Sequence, residues 1–283
     1  IKNSGTLMIN YGSFVGNKAA GSVITNDSNG EMTIKSGYYK LTSSDWKWKY
    51  LISNSGKANI YGGTIDIWAD DTSSNPYNSG SYLYNAKGAI AKIENLKITS
   101  RPIYSIYNLG TVDVANSILT SRIINVETGI MNLTNTSVKN LSNSFREVTN
   151  SGSGEINIDG GEYNVPVNNS STGTINIKSG TINNSVTNSS TGTINIGTKD
   201  GNVIKESPLI STTSTTISNV SGTFNFYDGT IKGSPAIYGS ISEIEDNNDL
   251  IKEKEDNLEV VYLGREYIAQ IKSTEEKYYT LQE

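Results

Sequence analysis

Gly154-Glu-Ile-Asn-Ile158, Gly173-Thr-Ile-Asn-Ile177 and Gly192-Thr-Ile-Asn-Ile196 are one pattern met three times at intervals of 19 residues. In each, apolar side chains stand two and four residues past a glycine and polar ones stand between them. That is the period-two signature of a strand with one apolar face.

The same anchor, a glycine after an Asn/Ser/Thr cluster, recurs at Gly5, Gly30, Gly56, Gly88, Gly110, Gly129 and Gly222, making ten segments spaced 19 to 32 residues apart. Its apolar pairs include Leu7/Ile9, Met32/Ile34, Ala58/Ile60, Val112/Val114, Met131/Leu133 and Phe224/Phe226, with Thr33, Asn59, Asp113, Asn132 and Asn225 on the opposite face. The segment at Gly88 reads out of phase, with Ile90 and Ile93, and predicts a bulge. A second small residue, such as Gly63, Ser117, Thr136 or Gly161, marks a corner before a second short strand at Ile65, Leu119, Val138 and Tyr163. A third strand ends at Ile24, Ile52, Ile106, Val148, Val167, Val186 and Ile217, and two residues after each stands an asparagine: Asn26, Asn54, Asn108, Asn150, Asn169, Asn188 and Asn219.

Three strands per repeat predict an all-β fold, a right-handed parallel β-helix of about ten coils and roughly 45–50 Å. A coil this short cannot bury its own apolar positions, but stacked coils build one continuous core and pair each backbone with its neighbours. Asparagines repeated at one corner can then stack as an amide ladder. A β-sandwich, the alternative, does not require three aligned apolar columns. The solenoid is expected over residues 1–240. Residues 241–283 hold five bases against twelve acids. There the reading is an acidic, loop-like stretch to Asn257, then a small hairpin of Leu258–Leu263 and Tyr267–Ile271 around Gly264-Arg265, leading toward a further module and capping the solenoid's pairing edge.

Composition narrows function. The 283 residues contain no Cys and no His, which excludes thiol nucleophiles, disulfides, Cys/His zinc sites and histidine triads. The net charge of −5 offers no basic patch for nucleic acid, and no apolar run reaches the ~20 residues of a membrane helix. The opening Ile1-Lys2-Asn3-Ser4-Gly5 carries no signal-peptide pattern and reads as the middle of a repeat, so the chain is expected to be a monomeric piece of a longer protein.

The repeat over residues 1 to about 240 resembles the right-handed parallel β-helices of the pectate-lyase-like superfamily. That group includes lyases, glycosidases, tailspikes and non-catalytic adhesins, so the resemblance implies a fold more than an activity. The C-terminal run Tyr267-Ile-Ala-Gln-Ile271 and Lys277-Tyr-Tyr-Thr-Leu-Gln-Glu283 resembles a segment of large Gram-positive, often clostridial, surface proteins, and the bias toward Asn, Ile, Lys, Tyr and Ser is what an AT-rich genome encodes. The resemblance implies an extracellular, cell-surface setting, with anchoring supplied by regions outside this segment.

Three groups of residues are candidates for chemistry. Trp46, Trp48 and Trp68, with Tyr77, Tyr82 and Tyr84, gather on neighbouring excursions and can stack on sugars or meet a host protein; strand alternation would instead turn both Trp46 and Trp48 to the core. Arg101, Arg122 and Arg146 fall at intervals of 21 and 24, a basic column that could meet an anionic glycan or simply pair with Glu127 and Glu147. Asp66, Asp70, Asp71, Asp159 and Asp228 are the acids a hydrolase would use, yet each cluster stands alone on its coil, as turn aspartates do. A Thr-x-Asn array at Thr174/Asn176, Thr193/Asn195 and Thr223/Asn225 has the form of an ice-binding row, interrupted elsewhere by Glu31, Lys57 and Glu155. The expectation is a non-catalytic adhesin or stalk module with a glycan or host protein as partner and with no cofactor, metal or catalytic residue assigned. A lyase or hydrolase acting on an anionic polysaccharide is the alternative.

Overall fold

Ile175 stands in register between Ile156 and Ile194, and Ile177 between Ile158 and Ile196, so each coil lays its apolar pair on the pair below. This register defines a parallel β-solenoid in the computed structural model, which describes residues 1–16, 21–41, 49–67, 80–100, 102–141, 146–199, 205–264, 269–270 and 277–278. No helix occurs among the described residues, and none is therefore long and apolar enough to cross a membrane.

The strands stack in the three columns the repeat requires, as a right-handed parallel β-helix does. One is an 11-stranded parallel sheet from Lys2–Asn3 to Ile237–Tyr238. The other two, which hold the anchor strand and the strand after the corner, form a second sheet. Ile34, Ile60, Ile93, Val114, Leu133, Ile158, Ile177, Ile196 and Phe226 fill one column of the core and are almost wholly buried. Truncating any such isoleucine to alanine removes contacts within its own coil and to both neighbours, a loss of about 2–5 kcal/mol.

The ladder asparagines are buried inside this stack. From Asn3 through Asn26, Asn54, Asn85, Asn108, Asn125 and Asn150, each Nδ2 donates to the next coil's Oδ1 at 2.7 to 3.1 Å. The same Nδ2 reaches backbone carbonyls, as from Asn108 to Gly110 and Ile130 at 3.0 Å each. Asn3, Asn85 and Asn125 extend the asparagine series read from the sequence. The ladder also explains the anchor glycine: a Cβ on Gly173 would lie 2.3 Å from Gly154 O and 2.4 Å from Asn150 Nδ2.

The segment at Gly88 contains no bulge. Ala91 and Ile93 pair with Ala58 and Ile60 on one side and with Val112 and Val114 on the other, and Ile90 points outward. Ala89, not Gly88, therefore holds the anchor position. Gly88 lies one residue earlier at φ +77, where its freedom is used for the turn. Corners elsewhere put Asn95, Asn116 and Asn135 in the left-handed region, with φ between 45 and 56, a conformation that asparagine tolerates better than most side chains.

The hairpin near the C-terminus also differs from expectation. Glu243–Ile244 still pairs in parallel with Asn225–Phe226. Leu258–Gly264 then pairs antiparallel with Asp249–Glu255, across a two-residue turn with Asp256 at φ 55. Asp256-Asn257 is the turn of this hairpin, where the sequence pattern points to Gly264-Arg265, whose arginine lies outside the described residues. Leu258–Gly264 also lies antiparallel on Thr230–Gly233, occupying the edge that a further coil would use and burying Val260, Val261 and Leu263.

Candidate functional site

The residue before each ladder asparagine faces away from the core, because neighbours on a strand point to opposite sides. In two adjacent coils that residue is a tyrosine: Tyr84 precedes Asn85 and Tyr107 precedes Asn108, and the two are paired in register. Their rings stack with centroids 5.8 Å apart and planes 23° apart. Tyr50 lies against both, 5.2 Å from Tyr84 and 6.5 Å from Tyr107. Tyr104 meets Tyr107 edge to face at 5.5 Å, and the Arg122 guanidinium sits over the Tyr104 ring at 5.7 Å. Glu147 accepts a hydrogen bond from Arg122 Nη2 at 2.7 Å. Beside the cluster, Lys87 pairs with Glu127 at 3.1 Å.

The electrostatics are those of a packed aromatic cluster. Burial, followed by the neighbouring phenols of Tyr107, Tyr104 and Tyr84, pushes the Tyr50 hydroxyl well above the usual tyrosine range. Tyr107 is shifted the same way, again chiefly by burial. Burial opposes the charge on Arg122, but its hydrogen bond to Glu147 and the nearby Tyr104 outweigh that effect and hold the guanidinium above its ordinary value. Near neutrality these phenols are hydrogen-bond donors, with no tendency to act as bases. The centroids of Tyr50, Tyr84 and Tyr107 form a triangle with sides of 5.2, 5.8 and 6.5 Å, so the three rings pack against one another as one cluster.

Tyr84 and Arg122 come together on this face. Arg146 Nη1 donates to Pro102 O at 3.1 Å. Tyr82 cannot serve a ligand, because its side chain is only 1% exposed within the apolar core. Trp46, Trp48, Trp68, Tyr77 and Arg101 lie outside the described residues. Sequence reasoning missed Tyr50, Tyr104 and Tyr107 as site residues. The recurring Tyr-Asn dipeptide, read one place before the ladder, would have found Tyr107.

The carboxylates a hydrolase would use are dispersed. Asp66 accepts from Tyr38 at 2.7 Å and pairs with Lys40 at 3.4 Å, and Asp159 accepts from Ser179 at 2.7 Å. Asp228 is buried and accepts from Gly229 N at 2.7 Å. Asp70 and Asp71 lie outside the described residues. Among the described residues no three carboxylates converge as a metal site would require.

No family model matches the chain, and neither a curated protein nor a solved structure matches it.

Proposed function

We propose that this chain is a non-catalytic rod module of a bacterial cell-surface protein, a stalk that carries an adhesive contact surface. The observation that carries the reading is the cluster on the face of the parallel stack in which the half-buried Tyr50, Tyr84, Tyr107 and Arg122 gather around the buried Tyr104. Tyrosine and arginine held rigid on a sheet lose little side-chain entropy on binding, and they are the residue types that concentrate binding energy at interfaces. The elevated phenols favour recognition over proton transfer. The resemblance of residues 267–283 to clostridial-type surface proteins, which the AT-rich residue bias fits, supports the extracellular setting.

The partner is a surface glycan or a host protein that bonds to the phenol hydroxyls and a guanidinium. The test is capture of the chain by immobilised glycans and extracellular proteins before and after Tyr107→Ala, with folding verified by circular dichroism. Loss of capture supports the face as the site. Capture that survives the substitution moves the site to another surface.

A further inference from the structure

The buried amide ladder is not continuous. Beyond Asn150 the chain of Nδ2 to Oδ1 bonds lapses at Asn169 and resumes only from Asn188 to Asn219, at 3.0 Å. The Oδ1 atoms of Asn169 and Asn188 are buried without a hydrogen-bond partner. Asn169 Nδ2 still donates to the carbonyls of Gly173 and Thr193 at 2.8 and 3.2 Å. Residues 154–172 thus form a coil whose ladder asparagine has no amide bond to the asparagine below or above it.

A second amide chain crosses the same coils on the outside of the anchor sheet. Asn225 donates to Asn195, Asn195 to Asn176, Asn176 to Asn157, Asn157 to Asn132 and Asn132 to Asp113, all at 2.7 to 2.9 Å. Its direction is opposite to that of the buried ladder: here each Nδ2 donates toward the preceding coil. The chain ends on a carboxylate that can only accept. Asn176 also donates to Glu155 at 2.6 Å.

We infer that this outward asparagine column is a second spine, which fixes the coil of residues 154–172 in the rod where the buried ladder lapses. An outward asparagine on a sheet face is ordinarily replaceable at little cost. Here the side chains are fixed end to end, and Asn157 and Asn176 join this coil to its neighbours on both sides. Asn59 stands in the same column between Thr33 and Lys92, with no amide neighbour in the column, and provides the matched control.

The test is hydrogen exchange with mass-spectrometric readout on the whole chain. In the double variant Asn157→Ala/Asn176→Ala, amides of Ile156–Ile158 and Val167–Asn169 should exchange about tenfold faster, as expected for two or more lost hydrogen bonds. Protection at Ile34, Ile60 and Val114 should stay unchanged, and Asn59→Ala should alter nothing. Asn176→Ala alone removes bonds without touching the core and gives a milder reading if the double variant does not fold. Exchange in residues 154–172 equal to that of the Asn59→Ala control, or a uniform rise along the whole chain, would overturn the inference.

Discussion

Tyr84 and Tyr107 stack 5.8 Å apart because they occupy the same outward position in two consecutive coils. The parallel register that builds the core therefore also builds the surface cluster. Tyr84→Ala should disturb Tyr50 and Tyr107 together while leaving Leu83 and Asn85 in place. Near-ultraviolet circular dichroism should lose tyrosine signal while the far-ultraviolet spectrum stays native.

Arg122 and Glu147 are half-buried partners at 2.7 Å. Removing either leaves the other poorly solvated, so Arg122→Ala or Glu147→Ala should each lower stability by about 1–2 kcal/mol. The double variant should lose less than the sum of the two. Urea denaturation of the four proteins in a double-mutant cycle measures the coupling, and strict additivity would show that the pair does not interact in solution.

Asn108 donates to Asn125, Gly110 and Ile130 and accepts from Asn85 and the Gly110 amide. Asn108→Ala leaves several buried groups unsatisfied at once and should lower stability by about 2–4 kcal/mol. A shift in the denaturation midpoint no larger than that of a surface substitution would contradict a structural role for the ladder.

The hydroxyls of Tyr39 and Tyr163 are buried without a hydrogen-bond partner. Removing an unpartnered hydroxyl takes away a desolvation penalty and no bond, so Tyr39→Phe and Tyr163→Phe should be neutral or stabilise by about 1 kcal/mol. Destabilisation beyond that range in thermal melts would mean that the hydroxyls are bonded in solution.

Above the carboxylate range, from pH 5 to 11, the pH dependence of stability should be one-sided. Burial pushes Tyr39 up to about 12, and burial together with a hydrogen bond to Glu243 pushes Tyr227 up to about 12; Tyr50, Tyr82 and Tyr163 move in the same direction. Above pH 10 the unfolded chain releases tyrosine protons that the folded chain keeps. The unfolded state then binds fewer protons, so stability falls as pH rises from about 10 to 12. With no histidine in the chain, no imidazole titrates between pH 5 and 8. Melting temperatures across pH 5 to 11 should show a plateau followed by an alkaline fall, and a steep change near pH 6.5 would contradict this.

The solenoid was legible because almost every apolar pair repeats against a glycine, which at most anchors is packed too closely for a Cβ. Where alanine stands in that place, at Ala89, the glycine pattern points to the neighbouring Gly88 and so to a bulge that the continuous register rules out. Asp256-Asn257 is hard to read as a turn because the acidic run around it obscures Leu250 and Ile251, which pair with Leu263 and Tyr262. The contact face was legible only in Tyr84 and Arg122. Tyr107 is signalled by the Tyr-Asn dipeptide it shares with Tyr84, whereas Tyr50 and Tyr104 join the cluster through the stacking of coils, a relationship that spacing alone does not reveal. Tyr82 shows the converse, a tyrosine on the same strand as Tyr84 that packs inward.

The most direct test of the contact face removes hydroxyls while keeping the ring stack. The chain and its Tyr84→Phe/Tyr107→Phe variant would be compared on one panel of immobilised glycans and extracellular proteins, with melting temperatures measured alongside. The account predicts a ligand for the native chain whose affinity falls about tenfold or more in the variant, at unchanged melting temperature. No ligand on the panel, or equal affinity for both proteins, would contradict it.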